Sequence, residues 1–191
     1  MIDTAKIEQA ITQIIIALGD DPAREGLADT PQRAAKMFAE MFEGMNHTND
    51  EIADMFNKCF DAPQDGASND WVLVKDIEIF SFCEHHLALM YNMKAHIAYK
   101  PNGKVIGLSK MARIANMAAK RLQLQERIGS DIAYIMKKIL GTDDVMVVIE
   151  GEHSCMSARG VRASGATTRS CVTFGIFDSD SMLKHEVLLQ L

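Results

Sequence analysis

Apolar positions follow a helical rhythm over the first forty-odd residues, switch to a two-residue rhythm near residue 71, and alternate between the two to the end. Ile7, Ile11, Ile14, Ile15 and Leu18 fall on one stripe of an α-helix, with Asp3 or Thr4 placed to cap it and Gly19 to end it. Thr30-Pro31 signals a second helix, because a capping hydroxyl followed by proline suits the first helical turn. Its predicted inward face is Ala34, Met37, Phe38, Met41 and Phe42, with a stop near Gly44. Residues 46–70 are polar, with Gly66, Ser68 and Asn69, and read as a connection or short irregular helix.

Trp71–Val74 and Ile77–Phe82 then read as strand running into Cys83, and Met90–Tyr99 as a second strand. Pro101-Asn102-Gly103 predicts a turn, after which Val105-Ile106 resumes extended structure. Ser109 is placed to cap a helix that carries Met111, Ile114, Ala115, Ala118 and Leu122 inward. A further helix spans Gln125–Leu140 and ends at Gly141. Val145–Glu150 is a β-branched strand, and Val172–Phe177 reads as the last one. The order predicts an α+β fold, an antiparallel sheet with helices on one face. An N-terminal helical segment, residues 1–70, precedes the sheet domain, residues 71–191.

A chain of 191 residues, 48% hydrophobic, suits one globular domain with an N-terminal appendage. A net charge of −6 argues against general binding to nucleic acid or anionic membrane. No apolar run reaches the ~20 residues a bilayer requires, and the N-terminus lacks the order of a signal peptide. Four cysteines do not make a disulfide scaffold at this size, so the expected setting is reducing and cytoplasmic.

The chemistry concentrates in Cys83-Glu84-His85-His86 and His153-Ser154-Cys155. Thiolates and imidazoles are the ligands of tetrahedral zinc. Cys83, His86 and Cys155 as sole ligands would leave a coordination position for water, with His85 and His153 beside it as proton carriers. The same spacing also fits a closed structural site that includes His153, or no metal at all. Cys59 and Cys171 read as buried thiols, and His47, His96 and His185 as surface or core histidines. Ser109, Lys110 and Arg113 surround a helix start, a ready anion site that is equally an ordinary solvated cap. Arg159-Gly160-Val161-Arg162 brings positive charge just downstream of Cys155, Gln125-Glu126 opens a helix, and Arg33 lies on the second helix.

Taken together and in order, these segments resemble the GTP cyclohydrolase I family. The matching stretches are Asp29–Met37, Cys83–His86, Val105–Lys110, Gln123–Arg127 and His153–Met156, followed by Arg159-Gly160-Val161. The resemblance implies a tunnelling fold: a four-stranded antiparallel sheet backed by two helices, its strands joined across subunits into rings that pair as a homodecamer, with active sites at subunit junctions. It implies Zn2+ on Cys83, His86 and Cys155, and hydrolytic opening of the imidazole ring of GTP. C8 would leave as formate and the remainder reclose as 7,8-dihydroneopterin triphosphate, the entry to pterin and folate. His85 and His153 match the proton-transfer positions, and Gln125 and Glu126 the guanine-reading positions. Ser109, Lys110, Arg113, Arg159 and a neighbour's Arg33 match the triphosphate pocket, which explains how an acidic chain could hold an anionic substrate. Three stretches depart from the family pattern, one of them Lys184-His185-Glu186 in place of a commoner arginine-containing stretch. Leu87–Lys94 makes a turn one residue longer, and Arg169 and Cys171 stand where threonine or serine is more usual.

Overall fold

The structure is a computed structural model that describes residues 1–62 and 71–191. The glycine- and serine-bearing part of the expected connection, residues 63–70, lies outside the described residues.

Helix α1 spans Thr4–Ala17, and the Asp3 carboxylate caps it by accepting from the Lys6 amide. Of its apolar stripe only Ile15 is buried, while Ile14 and Leu18 face outward. Helix α2 spans Thr30–Met41, with Pro31 in its first turn. Ala35 is buried there and Met37 is exposed, against the expected inward face. Phe38 and Phe42, both on the expected inward face, set the packing by contacting Phe82, the residue before Cys83, at ring-centroid distances of 6.4 and 5.0 Å. A 3-10 turn at Glu43–Asn46 follows. Part of the expected irregular connection is a regular helix, α3 (Asn49–Phe56). Thr48 and Glu51 close a reciprocal capping box there: the Thr48 amide donates to the Glu51 carboxylate at 2.7 Å, and the Glu51 amide to the Thr48 hydroxyl at 3.2 Å.

The strands are β1 (Cys59–Asp61), β2 (Val72–Cys83), β3 (Ala88–Tyr99), β4 (Lys104–Ile106), β5 (Leu122–Gln123), β6 (Val145–His153) and β7 (Thr167–Thr173). β1 pairs with β4, and the main sheet runs β5-β2-β3-β6-β7. Its four long strands are antiparallel, as expected, and the two-residue β5 adds a parallel edge against Phe82 and Cys83. Helices α4 (Leu108–Ala119) and α5 (Gln125–Leu140) cover one face. Between them and the sheet lies the main core, built from residues such as Ile79, Met93, Ile97, Ile114, Ile132, Val147 and Ile149, which Ile52 and Ala53 of α3 join. α6 is the single turn Ser154–Ser157.

The expected last strand, Val172–Phe177, breaks at Gly175. The chain there adopts φ +58°, and the Asp144 carboxylate accepts from the Ile176 amide at 2.7 Å. This starts α7 (Ile176–Ser179), which α8 (Ser181–Leu188) follows. Phe177 and Val187 pack on Ala98, Met146 and Val148, so one end of the second sheet face is also covered. Cys171 is exposed and Cys59 half-buried, rather than both buried, because β1 and β7 are edge strands. Among the described residues no helix is long and apolar enough to cross a membrane.

Candidate metal centre and substrate site

Cys83 is the last residue of β2, held on one side by Ala88 of β3 and on the other by Gln123 of β5. Immediately after it the chain reverses: the His86 amide donates to the Cys83 carbonyl at 3.4 Å, and Leu87 takes φ +51°. That turn brings the His86 imidazole back to the thiol it follows. Cys155 arrives from the other side of β3, in the turn of α6 that ends β6. The ligand atoms of Cys83, His86 and Cys155 all lie within 4.8 Å of one another. Tetrahedral zinc with Zn–S bonds of ~2.3 Å holds sulfurs about 3.8 Å apart, so the donor set and its spacing fit such an ion with little movement. His153 stands outside this cluster, which favours an open three-ligand arrangement over the closed four-ligand one that spacing alone left open.

Burial, then the neighbouring Cys83 thiol, push Cys155 above its ordinary value. A divalent cation between the two sulfurs would reverse that balance by stabilising both thiolates.

Two imidazoles flank the cluster. His85 is exposed, with Nδ1 3.8 Å from Cys83 Sγ. His153 ends β6, and its Nε2 is 2.8 Å from Oε1 of Gln125. Burial draws its pKa down, opposed by the charge of Glu126. Gln125 is buried at the start of α5, whereas Glu126 next to it is exposed in the first turn. Glu126 borders a cavity of about 160 Å³ lined also by Gly129, Ser130, Ser170, Cys171 and Val172. Two larger cavities, each about 520 Å³, lie elsewhere, beside Trp71 and beside Lys58, and include no residue of the cluster.

The cations are distributed unevenly. Arg159 follows the α6 turn, near enough for its charge to act on Cys155. Ser109, Lys110 and Arg113 occupy the first two turns of α4. Ser109 is not the cap: Gly107 is, with the Lys110 amide closing on its carbonyl at 2.8 Å, so the hydroxyl lies within the first turn and faces solvent. Lys110 Nζ sits 6.0 Å above the Phe56 ring of α3. Arg33, on α2, is exposed and bonds Asp29 at 2.9 Å.

Sequence reasoning missed two connections that hold the site together. Arg127 grips the Glu84 carboxylate with both terminal guanidinium nitrogens, at 2.5 and 3.1 Å, tying the Cys83–His86 turn to the start of α5. Arg121 donates to the Gly44 and His47 carbonyls, to Asn49 and to Asp131, locking the 3-10 turn and α3 against the α4–α5 junction. The signal was present, since Glu84 and Arg127 lie in matching motifs of opposite charge, but their pairing depends on β5.

An α+β chain with two thiols and an imidazole gathered at one end of its sheet, flanked by two further imidazoles, thus defines a candidate metal-dependent enzyme. Comparison with known proteins narrows the class. The GTP cyclohydrolase I family model matches residues 7–191. GTP cyclohydrolase 1 of Clostridium botulinum (strain Loch Maree) is 58% identical over 190 residues, covering 98% of this chain and 97% of that protein. The protein of the same name from Clostridium acetobutylicum is 56% identical over 188 residues, covering 98% and 96%. That of Ruminiclostridium cellulolyticum is 53% identical over 192 residues, covering 98% and 97%. The chain belongs to the GTP cyclohydrolase I family.

Proposed function

We propose that the protein hydrolyses GTP, opening the guanine imidazole ring with loss of C8 as formate and reclosure to 7,8-dihydroneopterin triphosphate, the first step toward pterin and folate. The observation that carries this reading is the cluster of Cys83, His86 and Cys155 with His85 and His153 beside it but outside it. In this reading Cys83, His86 and Cys155 hold Zn2+. When bound, the ion supplies Lewis acidity that activates water near neutral pH.

The rest is the work of side chains. C8 of guanine is a weakly electrophilic aromatic carbon, and a proton delivered to N7 makes it attackable. A proton delivered to the ribose ring oxygen opens the sugar. His85 and His153 carry these protons, each contributing on the order of 10²–10⁴ in rate. The exposed carboxylate of Glu126 accepts from N1–H and the exocyclic amine, a donor pair that adenine lacks. Lys110, Arg113 and Arg159, with Ser109, hold the triphosphate.

A neighbouring copy completes the site and lends Arg33. Two observations support that completion. The 160 Å³ cavity beside Glu126 falls well below the ~300–1,000 Å³ usual for a bound small molecule. β7 and most of β2 also form open sheet edges among the described residues, since β5 pairs only with Phe82 and Cys83. Edge-to-edge pairing would give the rings of a tunnelling fold and a homodecamer acting in the cytoplasm, with residues 1–70 as an N-terminal segment, mainly helical among its described residues, ahead of the catalytic domain at 71–191. Nothing in the reading calls for nucleic acid or membrane.

Incubation with GTP tests it. One formate should appear per GTP consumed, with a product that fluoresces as a pterin after oxidation and dephosphorylation. Glu126→Ala should lose at least 100-fold in kcat/KM for GTP while keeping its zinc. Unimpaired GTP turnover by that variant would overturn the assignment of Glu126.

A further inference from the structure

Gln125 was expected to contact substrate beside Glu126, yet its side chain is 2% exposed and its polar atoms are already engaged. Its Nε2 donates to the carbonyls of Ile149 on β6 and Thr168 on β7, both at 2.9 Å. Ser170 Oγ lies farther from it, at 3.5 Å. Backbone carbonyls only accept, so these two bonds settle which end of the amide is nitrogen. Oε1 therefore faces His153, and Nε2 of that ring lies 2.8 Å away. A carbonyl oxygen accepts and never donates. The hydrogen of this bond must belong to the imidazole, and a neutral ring protonated on Nε2 carries its lone pair on Nδ1.

We propose that Gln125 is a positioning residue that holds His153 in the Nε2-protonated tautomer and so makes Nδ1 the nitrogen that exchanges protons with substrate. The proposal rests on the reading above in one respect, that His153 transfers protons. The anchoring is rigid because it spans three elements: α5 supplies the amide, and paired strands β6 and β7 supply the carbonyls that orient it. The proton passes through Nδ1 in either direction without change at Nε2. Guanine reading then falls to Glu126, whose carboxylate is exposed where the Gln125 amide is not.

The test uses the zinc-loaded enzyme labelled with 15N in histidine, studied by solid-state NMR, with the His153 signals assigned as those missing from His153→Asn. Wild type should show a protonated Nε2 and a non-protonated Nδ1 at His153; an Nδ1–H tautomer would overturn the proposal whatever the variants do. Gln125→Met removes the acceptor at similar length. It should let the Nδ1–H tautomer grow and lower kcat for formate release on the order of 10²-fold, with KM for GTP and zinc content unchanged. A rise in KM with kcat retained in Gln125→Met would instead mark Gln125 as a substrate contact. Wild-type protein that forms no formate from GTP would reject the functional reading, while the NMR signal would still report the tautomer.

Discussion

His96 illustrates at the residue scale how burial sets a side chain's chemistry. It is 3% exposed, accepts from the Asp76 amide through Nδ1 at 3.2 Å, and has no hydrogen-bond partner among the described residues at Nε2, which lies 4.0 Å from the Glu150 carboxylate. Burial pulls its pKa below 6.5, against the opposing charges of Glu150 and Asp76. The unfolded chain therefore binds this proton more readily than the folded one. Stability from His96 is complete above about pH 6.5 and is lost as pH falls through that value toward the lower folded one. Denaturant midpoints measured from pH 7.5 down to pH 5 should fall, and His96→Asn should flatten part of that slope; an unchanged slope would refute the assignment. The metal cluster makes a second expectation at this scale. Cys155→Ala removes one of three ligands and should reduce bound zinc from one per chain to a small fraction, with helical and sheet content retained. Full zinc occupancy in that variant would show that the ion sits elsewhere. The cluster was legible in the sequence because few residue types can ligate zinc, and two short motifs contain them. The partner of Gln125 was not, since an amide beside a carboxylate looks equally suited to bind a ligand until burial and both its acceptors are known.

Among the elements, the joints carry more consequence than the lengths. Gly44 in the 3-10 turn has no room for a side chain: a Cβ there would run into the carbonyl oxygens of Met117 and Lys120 at the end of α4, the latter at 2.9 Å. Both contacts are backbone, so Gly44→Ala must push the turn away and disturb the Arg121 bonds to Gly44 and His47. A loss of at least ~1–3 kcal/mol is expected by chemical denaturation. Thr48→Ala, which opens only the capping box of α3, should cost less, about 1 kcal/mol. If Gly44→Ala proved the milder of the two, the close packing of turn and helix would be wrong. The long helices and the three long strands β2, β3 and β6 were legible because their periodicity runs over many residues, whereas β7 begins at Thr167, five residues ahead of the expected start. The α3 helix carried its sign in Thr48 and Glu51, but its polar surroundings masked it. The Val172–Phe177 stretch reads as one strand by apolar content, and only the turn at Gly175, fixed by Asp144 from another loop, divides it. β5 is two residues long and exists through its pairing with β2, which no local pattern reveals.

For the whole molecule, the imbalance between three gathered candidate metal ligands and the small cavity beside Glu126 is the informative feature. Arg33 is exposed and pairs with Asp29, and α1 turns Ile14, Ile16 and Leu18 toward solvent. Exposed apolar surface and open sheet edges on the same chain favour self-association. Sedimentation of the purified protein should therefore give a mass near ten times 21.2 kDa, and Arg33→Ala should raise KM for GTP without dissociating the assembly. A monomer that turns over GTP fully would contradict the shared site. Which copies meet was not readable from periodicity, because edge strands and apolar helix faces look alike whether they are covered by the same chain or by another. The family motifs, not the patterning, supplied that expectation.

The most direct test of the central claim removes and restores the metal. Formate released from GTP should be measured on the purified protein, after exhaustive chelation, and after Zn2+ is added back, with far-UV circular dichroism followed throughout. Formate production should disappear on chelation while the fold persists, and return as zinc approaches one ion per chain. Undiminished formate release from metal-free protein would contradict the account.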